Sequence, residues 1–174
     1  MFELEKFNLP PNFRGKNPVI VQFWRITYVI FFKSSPQFLY CWRRFLLRLF
    51  GAKIGKKVLI RPSVQITYPW KVQIGDYSWI GDDVVLYSLG NITIGSNSIV
   101  SQKSYLCTGS HEINSIAFDI IEKPIVIGNS CWIATDVFIA PGVKIVDEVI
   151  IGARSSVFKS IAKKGIYMGN PVVI

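Results

Sequence analysis

Between Ile74 and Leu106 the chain reads "IGDYSWIGDDVVLYSLGNITIGSNSIVSQKSYL". An aliphatic residue stands at Ile74, Ile80 and Leu86, and again, after a step of eight, at Ile94, Val100 and Leu106. A helix repeats about every 3.6 residues and a simple strand every two or so. A period of six fits neither. It fits a solenoid whose coil has flat sides, each side a short strand that points one residue inward.

The period extends in both directions. Ile54, Ile60 and Ile66 precede the quoted stretch, and Ile127, Ile133, Ile139, Ile145, Ile151 and Val157 follow it. Four residues after these fifteen aliphatics, twelve positions hold Val, Ser or Cys; Trp70, Gly90 and Ile161 are the exceptions. Gly follows directly at Gly55, Gly75, Gly81, Gly95, Gly128 and Gly152. The aliphatic residue fills the interior, the small residue shares it, and Gly or Asn helps the chain turn the corner. Cys131 and Ser155 occupy small inward positions, so packing is their expected role. The extra pairs Val72-Gln73 and Ile92-Thr93 widen two coils. The long step from Ile94 to Ile127 ejects a loop, roughly 112–124, with His111 at its root.

His111 is the only histidine in 174 residues. That excludes a zinc site of three histidines, such as a β-helical carbonic anhydrase would need. The three cysteines, Cys41, Cys107 and Cys131, are odd in number and lack motif spacing, which suits a reducing compartment. The acidic, proline-broken start "MFELEKFNLPPNF" is unlike a signal peptide. The longest apolar stretch, Val19–Phe32, contains Gln22 and Arg25 and is too short to span a membrane. A cytoplasmic protein is expected.

Charge divides the chain. Residues 1–57 carry 11 Lys and Arg against Glu3 and Glu5, whereas residues 58–174 carry 9 of each sign. The whole net charge of +9 therefore belongs to the front third. The expected organisation is a basic, partly helical extension over 1–51 and a solenoid over 52–174. Residues 19–33 and 36–50 read as two helices. In the second, Phe38, Leu39, Trp42, Phe45, Leu46, Leu49 and Phe50 recur at three and four, with Arg43, Arg44 and Arg48 elsewhere. This basic amphipathic segment is expected to cap the open end of the solenoid, and residues 19–50 also suit an anionic membrane surface through those arginines. No nucleic-acid-binding motif accompanies the charge.

The coils "IGDYSWIGDDVV", "IGSNSIVSQKSYLCTGSH" and "IGNSCWIATDVFIAPGVKI", with "GNP" near the end, resemble those of hexapeptide-repeat acyltransferases. "WRRFLLRLFGAKIG", "YPW" at 68–70, "LCTGSH" and "WIATDVFIAPGV" are most similar to the colanic-acid-type polysaccharide O-acetyltransferases, over nearly the whole chain from about residue 19. The resemblance implies an all-β fold, a left-handed parallel β-helix with a short helical N-terminal segment, assembled as a homotrimer with sites between subunits. It implies acetyl-CoA as co-substrate, no metal, and a small-molecule saccharide acceptor, possibly lipid-linked. His111 would be the general base for direct transfer. Cys107 is a weaker candidate, as a covalent nucleophile. Trp132 would line the thioester end, Ala134, Thr135 and Ala153 the pantetheine, and Lys159 would meet the nucleotide phosphates. The usual small hydroxyl residue before that lysine is replaced by Phe158. Trp132 also suits packing at a subunit seam, and Lys159, Lys163 and Lys164 a solvated face. Some related enzymes hold the acceptor with an asparagine where this chain has Gly81, so Asp82, Asp83, Tyr87 and Glu112 are the acceptor candidates. N-acetyl transfer to an amino sugar and a non-catalytic β-helical scaffold are the alternative functions.

Overall fold

The computed structural model describes residues 2–173. All fifteen period-six aliphatics are buried, none more than 7% exposed. They stack in three columns. Ile54, Ile74, Ile94, Ile127 and Ile145 pair in register on the first sheet. Ile60, Ile80, Val100, Ile133 and Ile151 do so on the second, and Ile66, Leu86, Leu106, Ile139 and Val157 on the third. Every pairing within these sheets is parallel, as the expected parallel β-helix requires. The last strand, Gly165–Tyr167, begins a further coil on the second sheet. The skips behave as expected: Val72, Ile92 and Ile125 form an extra buried column that widens the first sheet.

Corners carry the physical burden of such a coil, because strand pairing lapses there and peptide groups lose their partners. Inward serines supply replacements. Ser78 Oγ donates to the Gly95 carbonyl and accepts from Ser98 N–H, and Ser98 Oγ does the same for Gly128 and Cys131 one coil later. Outside the coil a second ladder runs beside it. Lys56 N–H donates to Asp76 Oδ1, Asp76 N–H to Ser96 Oγ, Ser96 N–H to Asn129 Oδ1, and Asn129 N–H to Asp147 Oδ1. The N–H and side-chain amide of Asn129 hold the Asp147 carboxyl below the usual carboxylate range.

Two details depart from expectation. The corner residues with positive φ are not the glycines that follow the aliphatics: Tyr77, Asp83, Asn97, Lys103, Ser130 and Asp136 hold φ between 54° and 62°, and Gly142 holds 85° at the corner after Ile139. The glycines stand two residues earlier because coils approach too closely there for a side chain. A Cβ on Gly75 would lie 2.5 Å from Ser96 N, and one on Gly95 2.5 Å from Gly128 C. Ser110 shares the spacing of the inward small residues yet is exposed, because the chain has already left the coil.

The front end is where charge and burial disagree most with a simple amphipathic reading. Helix α1, Pro18–Thr27, is capped by Asn17 and continues through one wide turn, Tyr28–Lys33, so the expected 19–33 helix is present. Helix α2 runs Tyr40–Leu49 and starts four residues later than expected. The Pro36 carbonyl closes a tight turn with Leu39 N–H, and it and the Gln37 carbonyl also accept from the Arg43 guanidinium. Trp24, Phe32, Leu46 and Leu47 join the same apolar core as the first coil, so the helices cap it.

The arginines face inward. The first coil has no predecessor, so its outer carbonyls have no strand to pair with. Arg43 Nε donates to Ile60 O at 2.6 Å, Arg44 to Val58 O at 2.8 Å, and Arg48 to Ile54 O at 2.7 Å. Trp24 Nε1 donates to Ile66 O at 2.9 Å. Arg43 is fully buried, with Ser35 Oγ and the Pro36 and Gln37 carbonyls as its other partners. The expectation that these arginines serve a membrane surface fails for Arg43, which is buried, while half-buried Arg44 and exposed Arg48 also spend guanidinium donors on backbone acceptors. Replacing Arg43 by Met keeps the stem but leaves buried carbonyls unpaired. Urea unfolding is expected to record a loss of about 3 kcal/mol, from a charged hydrogen-bond donor removed from a buried shell; an unchanged midpoint would contradict this role.

Candidate functional site

The ejected segment returns to the solenoid as an antiparallel hairpin. Gly109–His111 pairs with Ile120–Glu122, with His111 opposite Ile120. The hairpin is seated on the widened corner. Thr108 Oγ1 accepts from Gly90 N–H and donates to the Tyr87 carbonyl, and Lys123 N–H donates to the Thr108 carbonyl. Lys71 Nζ donates to the Phe13 carbonyl, to the Leu89 carbonyl and to Glu122 Oε2, the last at 2.8 Å. One ammonium thus ties the N-terminal segment, the second coil and the base of the hairpin together.

His111 is half-buried. Its Nδ1 lies 2.7 Å from the Phe118 carbonyl. A carbonyl only accepts, so Nδ1 carries the proton and Nε2 keeps its lone pair. The imidazole also stacks on the Phe118 ring, with centroids 4.1 Å apart and planes 6° apart. Phe2 packs against the Phe118 ring with centroids 4.5 Å apart, and Phe7 approaches His111 at 6.4 Å. Glu3 N–H donates to the Ile116 carbonyl. The first residues of the chain therefore brace the loop that aims the imidazole. The acceptor candidate Glu112 is exposed on the loop, and its carboxylate accepts from Asn114 N–H.

Tyr87 is the acceptor candidate that shares an edge with the hairpin. It pairs with Cys107. A Cβ on Gly109 would come within 3.0 Å of the Tyr87 ring and 2.7 Å of Leu89, so the bare glycine lets both pack against the root of His111. From Tyr87 an aromatic column crosses the third sheet through Tyr105, Phe138 and Phe158, with successive centroids 6.1, 6.1 and 5.7 Å apart. A groove of about 650 Å³ separates this column from α1, lined by Trp24, Arg25, Tyr28, Tyr87 and Tyr105. Burial raises the phenol pKa values of Tyr87 and Tyr105, so both hydroxyls remain protonated. Burial likewise pushes up the Cys107 thiol, outweighing its contact with Gly109, and its Sγ donates to the Gly109 carbonyl. A protonated thiol is a poor nucleophile.

Asp82 and Asp83 lie one corner away, between the second and third sheets. Asp82 is committed: Arg61 Nε donates to its Oδ2 at 2.7 Å and Ser63 Oγ to its Oδ1 at 3.0 Å, tying coil one to coil two. Burial pushes its carboxyl up, but the hydrogen bonds and the guanidinium charge outweigh that and hold it low. Asp83 is exposed at a turn with positive φ.

The donor candidates gather on the second sheet and at this same corner. The Trp132 indole is 47% exposed, and its Nε1 donates to Ser101 Oγ. It belongs to an outward apolar column of Leu59, Trp79, Ile99, Trp132, Ile150 and Ile166. Ala134 is buried, and its N–H and carbonyl already serve Ile151 and Ser104. The expected backbone contribution of Ala134 is therefore limited to its small size and its carbonyl's second lone pair. Thr135 is half-buried and Ala153 exposed. Lys159 is exposed at the far end of the third sheet, next to Phe158. Within one chain the His111 edge and the Trp132 edge are separated by one side of the coil, about six residues or roughly 20 Å.

Phe118, Phe7, Lys71 and the aromatic column escaped the sequence reading. The part of Phe118 that holds Nδ1 is a main-chain carbonyl, which no residue type announces.

A comparison with protein-family models finds no match. Over all 174 residues the chain is 60% identical to the acetyltransferase WcaF of Escherichia coli (strain K12), a protein named for colanic acid biosynthesis, and it covers 96% of that protein. A galactoside acetyltransferase solved in complex with coenzyme A superimposes with a TM-score of 0.83, at 25% identity, over 96% of this chain and 84% of the other. A maltose O-acetyltransferase from Clostridium difficile 630 shares the fold, with a TM-score of 0.82 at 24% identity over 99% and 95% of the two chains. With full-length identity of this order and the fold of the coenzyme A-bound structure, the chain belongs to the WcaF family of hexapeptide-repeat acetyltransferases.

Proposed function

We propose that the protein transfers an acetyl group from acetyl-CoA to a hydroxyl of a saccharide used in colanic-acid-type surface polysaccharide assembly, in the cytoplasm, with His111 as general base. The observation that carries this reading is the His111 geometry: Nδ1 bonded to the Phe118 carbonyl and Nε2 free. A sugar hydroxyl is a poor nucleophile while it keeps its proton. Nε2 takes that proton, the oxygen attacks the thioester carbonyl, and the bond to sulfur breaks. The proton held on Nε2 then passes to the departing thiolate, so one histidine completes the cycle. The Phe118 carbonyl steadies the imidazolium that forms between these events. Tyr87, with the aromatic column behind it, offers flat apolar faces and neutral hydroxyls for the acceptor. Such surfaces suit the C–H faces and hydroxyls of a sugar ring.

The donor reading rests on Trp132, Thr135, Ala153 and Lys159. Trp132, Thr135 and Ala153 lie on a different edge from His111, whereas Lys159 follows the third sheet as His111 does, so joining the thioester end to the base needs two copies of the chain. A homotrimer supplies this by placing the second-sheet edge of one subunit against the hairpin edge of the next. The exposed apolar column through Trp79 and Trp132 supports the second sheet as a self-association face. The relative named WcaF supports a polysaccharide precursor as acceptor.

Three outcomes are expected. His111→Ala folds and binds acetyl-CoA but loses transfer at least about a hundredfold, the low end for a general base, measured by thiol release with hydroxyl and amine sugars in parallel. Exclusive turnover of the amine acceptors would replace O-transfer by N-transfer. Phe118→Ala keeps the carbonyl but frees the ring, and a loosely aimed base is expected to cost about tenfold in kcat with KM for acetyl-CoA unchanged. Mixing His111→Ala chains with Trp132→Ala chains is expected to restore activity through mixed oligomers, whereas neither variant alone recovers. Full activity in a monomer would refute the shared site.

A further inference from the structure

Helices α1 and α2 are oriented opposite to the usual surface helix. On α2 the fully buried side chain with charge is Arg43, while Phe45 is 54% exposed, and Phe38, in the turn before the helix, is 76% exposed. The exposed large residues are not scattered. Trp42, Phe45 and Leu49 stand at spacings of three and four, which is one stripe along α2, and Phe38 is exposed in the turn that precedes it. Val19, Phe23, Ile26 and Ile30 repeat the same spacing on α1 and its wide turn, and all are exposed. The two elements are joined: Trp42 Nε1 donates to the Phe31 carbonyl at 2.9 Å. Their other sides are taken up by the solenoid, through Val21, Trp24, Phe32, Leu46 and Leu47. Two outward apolar stripes on adjoining helices exceed what a soluble surface ordinarily exposes.

From these observations we infer that the cap is a membrane-docking surface, and that its occupant is the face of a bilayer containing anionic lipid. Charge selects that occupant. No Asp or Glu occurs between Glu5 and Asp76. Lys16, Arg25 and Lys33 are exposed on or beside the helices, and Lys53, Lys56 and Lys57 are exposed on the first coil they cover. None of these six lysines and arginines shares in a salt bridge among the described residues. A second copy of this chain, docked patch to patch, would set like charges against each other. An anionic headgroup layer meets the cations while the acyl region takes the phenylalanines. No described helix is long and apolar enough to cross a membrane, so the contact is peripheral. The inference stands apart from the acetyl-transfer reading, since it uses none of the residues assigned to that chemistry.

The test is co-sedimentation of the full-length protein with vesicles of phosphatidylcholine, with and without phosphatidylglycerol, at low and high salt. The wild-type chain is expected to bind the phosphatidylglycerol vesicles at low salt, to be released by high salt, and to ignore pure phosphatidylcholine. Lys16→Gln, Arg25→Gln and Lys33→Gln combined, and separately Phe38→Ser with Phe45→Ser, are each expected to weaken binding by about tenfold or more. Circular dichroism should remain that of the wild type. His111→Ala should bind as the wild type does, so a failed acetyl-transfer reading would leave this result intact. Wild-type protein that stays in solution at low salt would overturn the inference. So would vesicle binding unmoved by either set of substitutions, or a Phe38 and Phe45 double variant whose sole change is a smaller oligomer.

Discussion

A stacked coil hands its backbone hydrogen bonds to the next coil, and the first coil has none before it to receive from. That open edge is the constraint on which the front of this molecule is built. Ile54, Val58, Ile60 and Ile66 each present a carbonyl there, and the partners are Arg48, Arg44, Arg43 and Trp24. A guanidinium suits the task because it carries several donors in a fixed plane and no acceptor. The choice has a consequence for α2. Once its arginines are spent on the edge, the opposite face is left to Trp42, Phe45 and Leu49. Closing the solenoid and exposing an apolar surface are two results of one rotational setting of the helix.

The corners explain where the site lies. A coil of three equal sides would leave no room for a returning hairpin. The two skips lengthen the first sheet, and the residues just before them form the seat at the corner between the third and first sheets: Gly90 donates to Thr108, and Lys71 joins Leu89 to Glu122. The irregularities of the repeat are therefore not defects in the solenoid. They are the places where its geometry is altered to carry His111, while the inward serine ladder and the outer ladder from Asp76 to Asp147 keep the neighbouring coils in register.

Much of this was legible in the sequence, and for a definite reason. A fifteen-fold column of Ile, Leu and Val repeats one physical requirement, so even fitted skips leave the register clear. The solitary histidine was legible because it stands where the repeat breaks. Other features were hidden because they depend on contacts between distant residues or on the main chain. Phe118 acts through its carbonyl as well as its ring. Asp82 looked available for a sugar hydroxyl, yet Arg61 of the preceding coil occupies it. The corner glycines looked like turn residues, yet a period-six pattern is the same whether glycine is needed for positive φ or for close approach of coils. The arginines of α2 read as a membrane-facing set because spacing defines a stripe without saying which way it turns.

The same topology bears on assembly. A solenoid displays every corner as a column, so residues of one column recur at one edge and cannot cross a face. His111 belongs to the corner after the third sheet, and Trp132, Thr135 and Ala153 to the second sheet and the corner before the third. No rearrangement of side chains spans a side of the coil. A reaction that uses both edges must therefore be built between subunits, and the exposed indoles of Trp79 and Trp132 lie on the side where such a neighbour would sit. The helical cap sits at the end of the solenoid axis with its stripes facing away from the coil, and α1 supplies one wall of the groove beside Tyr87 and Tyr105.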